Sequence, residues 1–298
     1  MSQIGLYEQT TQFTNKDAGT SVWCKAQKNG KTFFVKKMLS PVRPANAADL
    51  PAEKYRMRVQ RFEQALAAKR SMYQAIADAD KSGVITIPCE IIEYQNHICA
   101  ISEFVAGNVK PEQVCQLTDW QKIVILRTLT MAVWNLHRAN VVHSDMKPSN
   151  ILFTQMPDNP ACIMKLIDFD SSFIKSAPPK TSEEVCGDLA YFAPEVLRQS
   201  CGEFVTLDER VDIFAMGLVF HYLWTGKLPS RSSTNTISEC LLSGESIELD
   251  LSIPLAIRKT IERMIDVQPE NRLTCPVIYE ILGIQLKKFP KRSKYLAL

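Results

Sequence analysis

The chain has 298 residues, of which 46% are hydrophobic and 22% are charged, with 11 glycines and 16 prolines. These proportions are ordinary for a globular protein and exclude disordered, collagen-like and low-complexity chains. The 35 basic and 32 acidic residues leave a formal charge of +3, which is too small to indicate nucleic-acid binding by bulk electrostatics.

The sequence predicts neither a membrane span nor a secretory signal. The longest mostly apolar stretch, residues 213–224, contains His221 and is shorter than the roughly 18 residues of a membrane helix. The opening MSQIGLYEQTTQF lacks the basic start and apolar core of a signal sequence, so we expect a cytoplasmic protein with reduced thiols. The nine cysteines are widely spaced without a C-x-x-C pair, which argues against a disulfide framework and a structural zinc site.

The first part of the chain is predicted to be rich in strands. Four segments alternate or run apolar between turn signals such as Asn29-Gly30, which is typical of antiparallel strands. One long stretch between them carries apolar residues at helical spacing among many Ala, Glu, Lys and Arg residues, which favours a helix. The predicted strands are residues 22–26, 31–38, 84–93 and 97–104, and the predicted helix is residues 52–79.

After Gly107 the pattern becomes helical. Thr118 and Asp119 can cap a long helix, and residues 211–224 are typical of a second helix that is largely buried. Shorter helices are predicted near residues 234–242, 255–265 and 276–282. The fold class is therefore predicted to be α+β, with a small antiparallel-sheet lobe over residues 1–105 and a larger, mostly helical lobe over residues 106–298.

The most informative stretch is VVHSDMKPSNILF, in which Asp145, Lys147 and Asn150 share one loop between apolar flanks. A turn and a capping residue would explain these residue types taken alone. They leave a second acidic motif, LIDFD with Asp168, unexplained. An apolar strand that ends in an acidic residue commonly places a carboxylate at a metal, and Mg²⁺ prefers hard oxygen ligands. Asn150 and Asp168 suit that role.

Four motifs in this order and spacing resemble the eukaryotic-type Ser/Thr protein kinase family: HSDMKPSN, LIDFD, GDLAYFAPEVL and VDIFAMGLVF. The resemblance covers nearly the whole chain. It implies a two-lobed kinase fold that forms one kinase domain and transfers the ATP γ-phosphate to serine or threonine hydroxyls of a protein substrate. It also implies Mg²⁺, with Mn²⁺ as the alternative. Because the length is close to that of a kinase domain, we expect a separate regulatory partner.

In the larger lobe the resemblance implies roles for four side chains. Asp145 matches the catalytic Asp that orients the substrate hydroxyl. Lys147 matches the lysine with which Ser/Thr members steady the transferring phosphoryl group, and it argues against a tyrosine kinase. Asn150 and Asp168 match the metal ligands.

The same resemblance implies three architectural roles in that lobe. Glu195 belongs to an A-P-E element, and Arg272 matches its arginine partner. Asp212 matches a buried helix Asp that braces the catalytic loop.

In the smaller lobe, Lys36 in KTFFVKKM matches the lysine that holds the α- and β-phosphates, and Lys37 is the neighbouring alternative. Lys36 is preferred because Gly30 precedes it by the spacing common in the family. Its expected partner is a helix carboxylate. Glu63 is the best placed, and Glu53 remains open.

Two further segments of that lobe match nucleotide-binding elements. AISEFVAGN resembles the hinge, where Glu103 and Val105 offer backbone groups to adenine. The loop over the phosphates departs from the family pattern, since NKDAGTSVWCKA holds only Gly19 where G-x-G-x-x-G is expected. Glycine is favoured there because backbone N–H groups must approach the phosphates closely.

Three substitutions depart from the family pattern near the catalytic residues. Ser144 replaces an Arg that pairs with a phosphorylated activation segment. Asp170 stands where D-F-G has Gly and could be an extra metal ligand, and Asp188 stands where Thr is common and could meet Lys147. Two other hypotheses therefore stay open: a pseudokinase or nucleotide-binding scaffold, and a small-molecule kinase of the aminoglycoside or choline type.

Overall fold

The structure, a computed structural model, describes residues 2–16, 19, 21–155 and 162–288. It has two compact units. One consists of the chain up to Ala77 together with Thr86–Val105, and the other consists of Asp78–Ile85 together with the chain from Ala106 onward. The domains predicted from the sequence, 1–105 and 106–298, differ from these units by the segment Asp78–Ile85.

The first unit is a six-stranded antiparallel sheet with one long helix. The strand order is β1-β2-β3-β4-β6-β5. The long helix coincides with its predicted bounds because apolar side chains recur at helical spacing among strong helix formers. The elements are β1 (Gln3–Ile4), β2 (Tyr7–Gln9), β3 (Ser21–Lys28), β4 (Lys31–Val42), α1 (Ala52–Ala79), β5 (Glu90–Tyr94) and β6 (His97–Glu103).

Each face of this sheet buries its own apolar cluster. Phe62 and Leu66 of α1 pack with Met38 and Ile98 on one face. The other face carries a second cluster, which comprises Ile4, Tyr7, Cys24, Ala26, Phe33, Val35, Cys99 and Ile101. Because successive side chains of a strand point to opposite faces, the register of β4 decides which of its lysines faces α1.

One predicted strand is wrong over half of its length. We predicted a strand at residues 84–93, but β5 begins at Glu90. Pro88 cannot donate to a sheet ladder. Ile85 belongs to the second unit, where it forms a parallel bridge with Leu166. The apolar run therefore serves two different pairings, and its composition did not distinguish them.

The second unit is mostly helical. Thr118 caps its first helix as predicted, since its hydroxyl accepts from the backbone N–H of Gln121. The unit contains α2 (Asp119–Arg138), β7 (Val141–Val142), β8 (Ile151–Gln155), β9 (Cys162–Leu166), β10 (Phe173–Ile174), α3 (Pro194–Ser200), α4 (Arg210–Thr225), β11 (Ser230–Arg231), α5 (Ile237–Ser243), β12 (Ile247–Glu248), α6 (Leu255–Met264) and α7 (Cys275–Lys287).

Helix α4 lies at the centre of this unit. Nearly all of its side chains are buried, which explains why its sequence is apolar on every side. It contacts α2 and α6, and it ends at Gly226, whose φ of 78° is in the left-handed region that glycine adopts at low cost. The strands of this unit pair as β7 with β10, β8 with β9 and β11 with β12.

Within the described ranges, no helix combines the length and the apolar character needed to cross a bilayer. All nine cysteines lie in the described part of the chain, and all are free thiols.

Candidate active site

The loop between β7 and β8 is held by a buried carboxylate. Asp212 of α4 accepts the backbone N–H of His143 at 2.8 Å and that of Ser144 at 2.9 Å, and Nε2 of His137 lies 3.0 Å from the same side chain. Ser144 has a φ of 65°, so the chain turns sharply there. Burial would raise the pKa of Asp212, but the hydrogen bond and charge of His137 and the backbone N–H of His143 hold that pKa below its ordinary value.

His143 ties this loop to the chain that follows β9. Its ring is fully buried, Nδ1 accepts the backbone N–H of Asp145 at 3.3 Å, and Nε2 donates to the carbonyl of Ile167 at 3.2 Å. Phe169 packs on the ring with the centroids 5.0 Å apart. Because one ring nitrogen accepts and the other donates, His143 is the neutral tautomer with its proton on Nε2.

Three donors converge on the carboxylate of Asp145. Nζ of Lys147 lies 3.0 Å from Oδ2, and Nδ2 of Asn150 donates to the same oxygen at 3.1 Å. The backbone N–H of Asp188 donates to Oδ1 at 2.9 Å. Asn150 also donates to the main-chain carbonyl of Asp145 at 2.7 Å. The structure thus brings Asp145, Lys147 and Asn150 together, as the motif predicts.

Asp168 follows β9 and sits beside Asn150 along the backbone. The N–H of Ile167 donates to the carbonyl of Asn150 at 3.0 Å, and Asp168 has a φ of 64°. The N–H of Asp170 donates to Oδ1 of Asp168 at 3.3 Å. The two predicted metal ligands, Asn150 and Asp168, therefore lie on segments that are joined by a backbone hydrogen bond.

The donor set at this place fits a divalent cation that also binds phosphate. Both hydrogen bonds of the Asn150 side chain use its nitrogen, which leaves the amide oxygen as the atom that can meet a cation. Among the described residues, no three His, Cys, Asp or Glu side chains form a cluster that could hold a metal by themselves. Mg²⁺ sites typically have only one or two protein ligands, and phosphate oxygens and water complete the coordination.

Asp188 does not have the contact that the sequence suggested for it. We expected its carboxylate to meet Lys147. In the structure Lys147 pairs with Asp145, whereas Oδ1 of Asp188 accepts the backbone N–H of Ala190 at 3.0 Å. A short polar side chain that caps the next turn competes with longer contacts, and the local bond wins here.

A buried ion pair holds the start of α3. Arg272 donates to both carboxylate oxygens of Glu195, at 2.6 and 2.8 Å, and also to the carbonyls of Asp266 and Arg210 at 2.9 Å. These bonds use the planar, forked geometry of the guanidinium group and offset the cost of burying two charges.

In the sheet unit, the register of β4 separates the two candidate lysines. Lys36 lies opposite Ala100 of β6, on the face that packs with α1. Nζ of Lys37 lies 4.3 Å from the ring centroid of Phe13, on the face of the second cluster. The structure therefore distinguishes two neighbouring lysines that the sequence left as alternatives.

Glu63 makes an ion pair with Arg43. Arg43 also lies 2.9 Å from Glu93. Just over half of the Glu63 side chain is exposed, so this pair is close to solvent. Arg43 stands between two prolines in the sequence, and no motif pointed to it.

The other nucleotide-binding candidates lie along the same unit. Glu103, at the end of β6, makes an exposed ion pair with Lys31 at 3.2 Å, and Val105 follows two residues later. Gly19 has a φ of 54°, and a Cβ added there would meet no atom of the described residues within 4 Å. Its neighbours in the predicted phosphate-covering loop, Asp17, Ala18 and Thr20, lie outside the described residues.

The hairpin that carries Gly19 is closed by polar contacts. Thr14 and Trp23 exchange two backbone hydrogen bonds, at 2.9 and 2.8 Å. The indole N–H of Trp23 donates to the carbonyl of Lys16 at 2.8 Å, and the hydroxyl of Thr14 accepts the N–H of Lys16 at 3.2 Å. These contacts were missed because nothing in the residue pattern indicates which backbone groups a tryptophan will reach.

The family model of the protein kinase domain matches residues 17–282. The chain belongs to the protein kinase family. The predicted two-lobed kinase class, an antiparallel-sheet part followed by a helical part, is thereby confirmed. Kinase domains in general use ATP and a divalent metal and act on protein substrates.

The curated relatives of this chain are protein kinases, among them three from different organisms. Calcium-dependent protein kinase 22 of Arabidopsis thaliana is 32% identical over 169 residues, which cover 52% of this chain and 32% of the relative. Serine/threonine-protein kinase ULK3 of Xenopus laevis is 28% identical over 209 residues, covering 66% and 41%. A probable serine/threonine-protein kinase of Clostridium acetobutylicum is 31% identical over 180 residues, covering 58% and 26%. The kinase spans less than half the length of these relatives.

Proposed function

We propose that the protein is a serine/threonine protein kinase that transfers the γ-phosphate of ATP to a protein hydroxyl. The observation that carries the proposal is the convergence of Lys147, Asn150 and the Asp188 N–H on the carboxylate of Asp145. A carboxylate held from three sides keeps its orientation when a substrate hydroxyl arrives. The Ser/Thr relatives and the lysine at position 147 both favour Ser/Thr over Tyr substrates.

Asp145 is the proposed catalytic base. A carboxylate offers about four acceptor positions, of which two on Oδ2 and one on Oδ1 are occupied by the donors described above. The remaining position on Oδ1 suits the substrate hydroxyl. That hydroxyl passes its proton to Asp145, its oxygen bonds to the γ-phosphorus, and the bond from that phosphorus to the bridging oxygen of ADP breaks.

Lys147 and the proposed metal ligands stabilise the negative charge that develops in this step. The Lys147 ammonium, beside Asp145, stabilises charge on the transferring phosphoryl group. Asn150, through its amide oxygen, and Asp168 would hold Mg²⁺ or Mn²⁺, which would offset the negative charge of the phosphates. Asp170 remains a proposed additional ligand.

On the sheet unit, we propose Lys36 as the lysine that holds the α- and β-phosphates. Support comes from the β4 register, since Lys36 shares the α1 face while Lys37 is engaged with Phe13 on the other face. Glu63 on α1 stays the proposed carboxylate partner of Lys36, and that pairing requires Glu63 to exchange Arg43 for Lys36. Backbone groups of Glu103 and Val105 are proposed to bind adenine, and Gly19 is proposed to lie in the loop over the phosphates.

The test is transfer of radiolabelled γ-phosphate from ATP by the wild type and by Asp145→Ala. We expect label on the protein itself or on generic protein substrates with Mg²⁺ or Mn²⁺, and a loss of at least about a thousandfold in the variant. Glu183→Gln, which removes one negative charge at an exposed position outside the proposed site, is the control and should label normally.

Other outcomes would favour the other hypotheses. Nucleotide that raises the melting temperature without any transfer would indicate a pseudokinase. Label on a small alcohol, but on no protein, would indicate a small-molecule kinase. Full transfer by Asp145→Ala would contradict the proposed base.

A cytoplasmic location and a separate regulatory partner are also part of the proposal. Nine free thiols, with no disulfide among them, support a reducing compartment. Cell fractionation tests the location. A pull-down that recovers nothing above background would contradict the partner.

A further inference from the structure

The segment that follows Cys186 approaches the proposed catalytic base with its backbone. Gly187 has a φ of 139°, and a Cβ added there would lie 3.0 Å from the carbonyl oxygen of Ser144 and 3.4 Å from Oδ1 of Asp145. It would also lie 2.9 Å from the ring of Phe192. Any side chain at position 187 would therefore push the next peptide away from the catalytic loop.

That next peptide carries the N–H that donates to Oδ1 of Asp145 at 2.9 Å. Its orientation is set by two bonds from Asp188 to the turn that follows. Oδ1 of Asp188 accepts the N–H of Ala190 at 3.0 Å, and the carbonyl of Asp188 accepts the N–H of Tyr191 at 2.9 Å. The side chain and the carbonyl of Asp188 are therefore bound to the turn that follows, and its N–H points to the proposed base.

We propose that Asp188 is a positioning residue, which aims its own backbone N–H at Oδ1 of Asp145 by capping the turn at Ala190. The inference rests on the proposed function, because it assigns a role in orienting the base of that reaction. With Oδ1 fixed by Asp188 and Oδ2 by Lys147 and Asn150, the carboxylate plane cannot rotate. One acceptor position on Oδ1 then points consistently to the substrate hydroxyl.

What matters for this role is the acceptor oxygen of the side chain and not its charge. Asparagine keeps an oxygen that can cap Ala190, whereas alanine has none. Both variants keep the backbone N–H. The pair Asp188→Asn and Asp188→Ala therefore separates capping from charge, and Glu183→Gln controls for removing one negative charge from the same exposed segment.

The first measurement is steady-state phosphate transfer to a peptide selected from a Ser/Thr library. We expect kcat to fall at least about tenfold in Asp188→Ala, because a misaligned base lowers the rate of the chemical step. The KM for ATP and the thermal midpoint should stay near wild type, and Asp188→Asn should keep kcat within about threefold. A wild-type kcat in Asp188→Ala, or an equal loss in both variants, would overturn the proposal.

The second measurement does not depend on activity. Hydrogen exchange of the Asp188 and Ala190 amides should be slow in wild type and Asp188→Asn, and both should accelerate at least about tenfold in Asp188→Ala. The Asp188 amide should also accelerate in Asp145→Ala. If wild type transfers no phosphate, the proposed function fails and these exchange rates alone decide the inference. Unchanged exchange of the Asp188 amide in Asp145→Ala would overturn it, and so would unchanged exchange in Asp188→Ala.

Discussion

The loop between β7 and β8, which carries the proposed base Asp145 and is called the catalytic loop below, and the hairpin closed by Thr14 and Trp23 are anchored in different ways. The loop is held by Asp212 and His143, which are buried almost completely. The hairpin is held by backbone bonds and by contacts such as Trp23 to Lys16 that lie close to solvent. Water competes for exposed hydrogen bonds but not for buried ones, so equal numbers of contacts give unequal rigidity.

The comparison explains where this kinase departs from its family. The glycine pattern is lost between Thr14 and Trp23, and these two residues make their polar contacts to Lys16 near the surface. In the catalytic loop Ser144 replaces Arg, yet its backbone N–H is bound by Asp212. Because Asp212 binds the backbone N–H of residue 144, this anchor does not depend on which side chain residue 144 carries.

The largest effect is expected for Asp212→Ala. The change leaves the N–H groups of His143 and Ser144 without their acceptor and removes the partner of His137, all in a buried place. An unsatisfied buried donor costs about 1–3 kcal/mol, so we expect a loss of about 3–5 kcal/mol in the free energy of unfolding. Urea denaturation measures it.

Asp119→Ala is the control for Asp212→Ala, because its carboxylate is about half exposed at the start of α2. That variant should lose no more than about 1 kcal/mol. Equal losses in the two variants would contradict the distinction between buried and exposed anchors.

A second buried anchor, His221 of α4, should make stability depend on pH. Its Nδ1 donates to the carbonyl of Lys227 at 2.8 Å, and its Nε2 accepts the N–H of Asp250 at 3.1 Å, so the ring is neutral. Burial lowers the pKa of His221 below its ordinary 6.5. Below about pH 6.5, His221 therefore binds a proton in the unfolded chain but stays neutral in the folded chain, so the free energy of unfolding falls as the pH drops.

The expected slope is up to about 1.4 kcal/mol per pH unit for this one group. Unfolding free energies of the wild type and of His221→Asn, measured from about pH 7 down to about pH 5, check this slope. The variant should show a shallower slope. Parallel curves for the two proteins would remove His221 as the cause.

A smaller effect is expected at the exposed hairpin. Trp23→Phe keeps an aromatic ring against Phe34, whose centroid lies 5.3 Å away, but loses the hydrogen bond to Lys16. We expect a loss of about 0.5–1.5 kcal/mol in stability and a rise in the KM for ATP with little change in kcat. A fall in kcat at constant KM would show that the hairpin acts in another way.

The smallest effect on stability is expected for Arg43→Gln. Its ion pairs with Glu63 and Glu93 are partly exposed, so their loss should cost no more than about 1 kcal/mol. If Glu63 serves Lys36 in the active kinase, releasing it from Arg43 should leave transfer unchanged or raise it. Glu63→Gln should lower transfer, whereas Glu53→Gln should not. Equal transfer by all three variants would remove Glu63 from the nucleotide site.

Much of the fold was predictable because long periodic segments carry their own signal. The helix at residues 52–79 and the Thr118 cap were predicted at their observed places. The strands Gln3–Ile4 and Tyr7–Gln9 and the helix Pro194–Ser200 were missed, since elements this short depend on the partners that they meet. The same reason explains why half of the run at residues 84–93 is not a strand.

The site divides along a similar line. The sequence by itself determined the family, the fold class and the side chains that meet in the catalytic loop. Asp145, Lys147 and Asn150 lie within six residues of one another, so their side chains meet once the loop has formed. Only the tertiary structure decided that a backbone N–H of residue 188 completes the set, and that Glu63 meets Arg43. Every residue except proline carries the same N–H, so its direction depends on the packing of the chain and leaves no mark in the residue pattern.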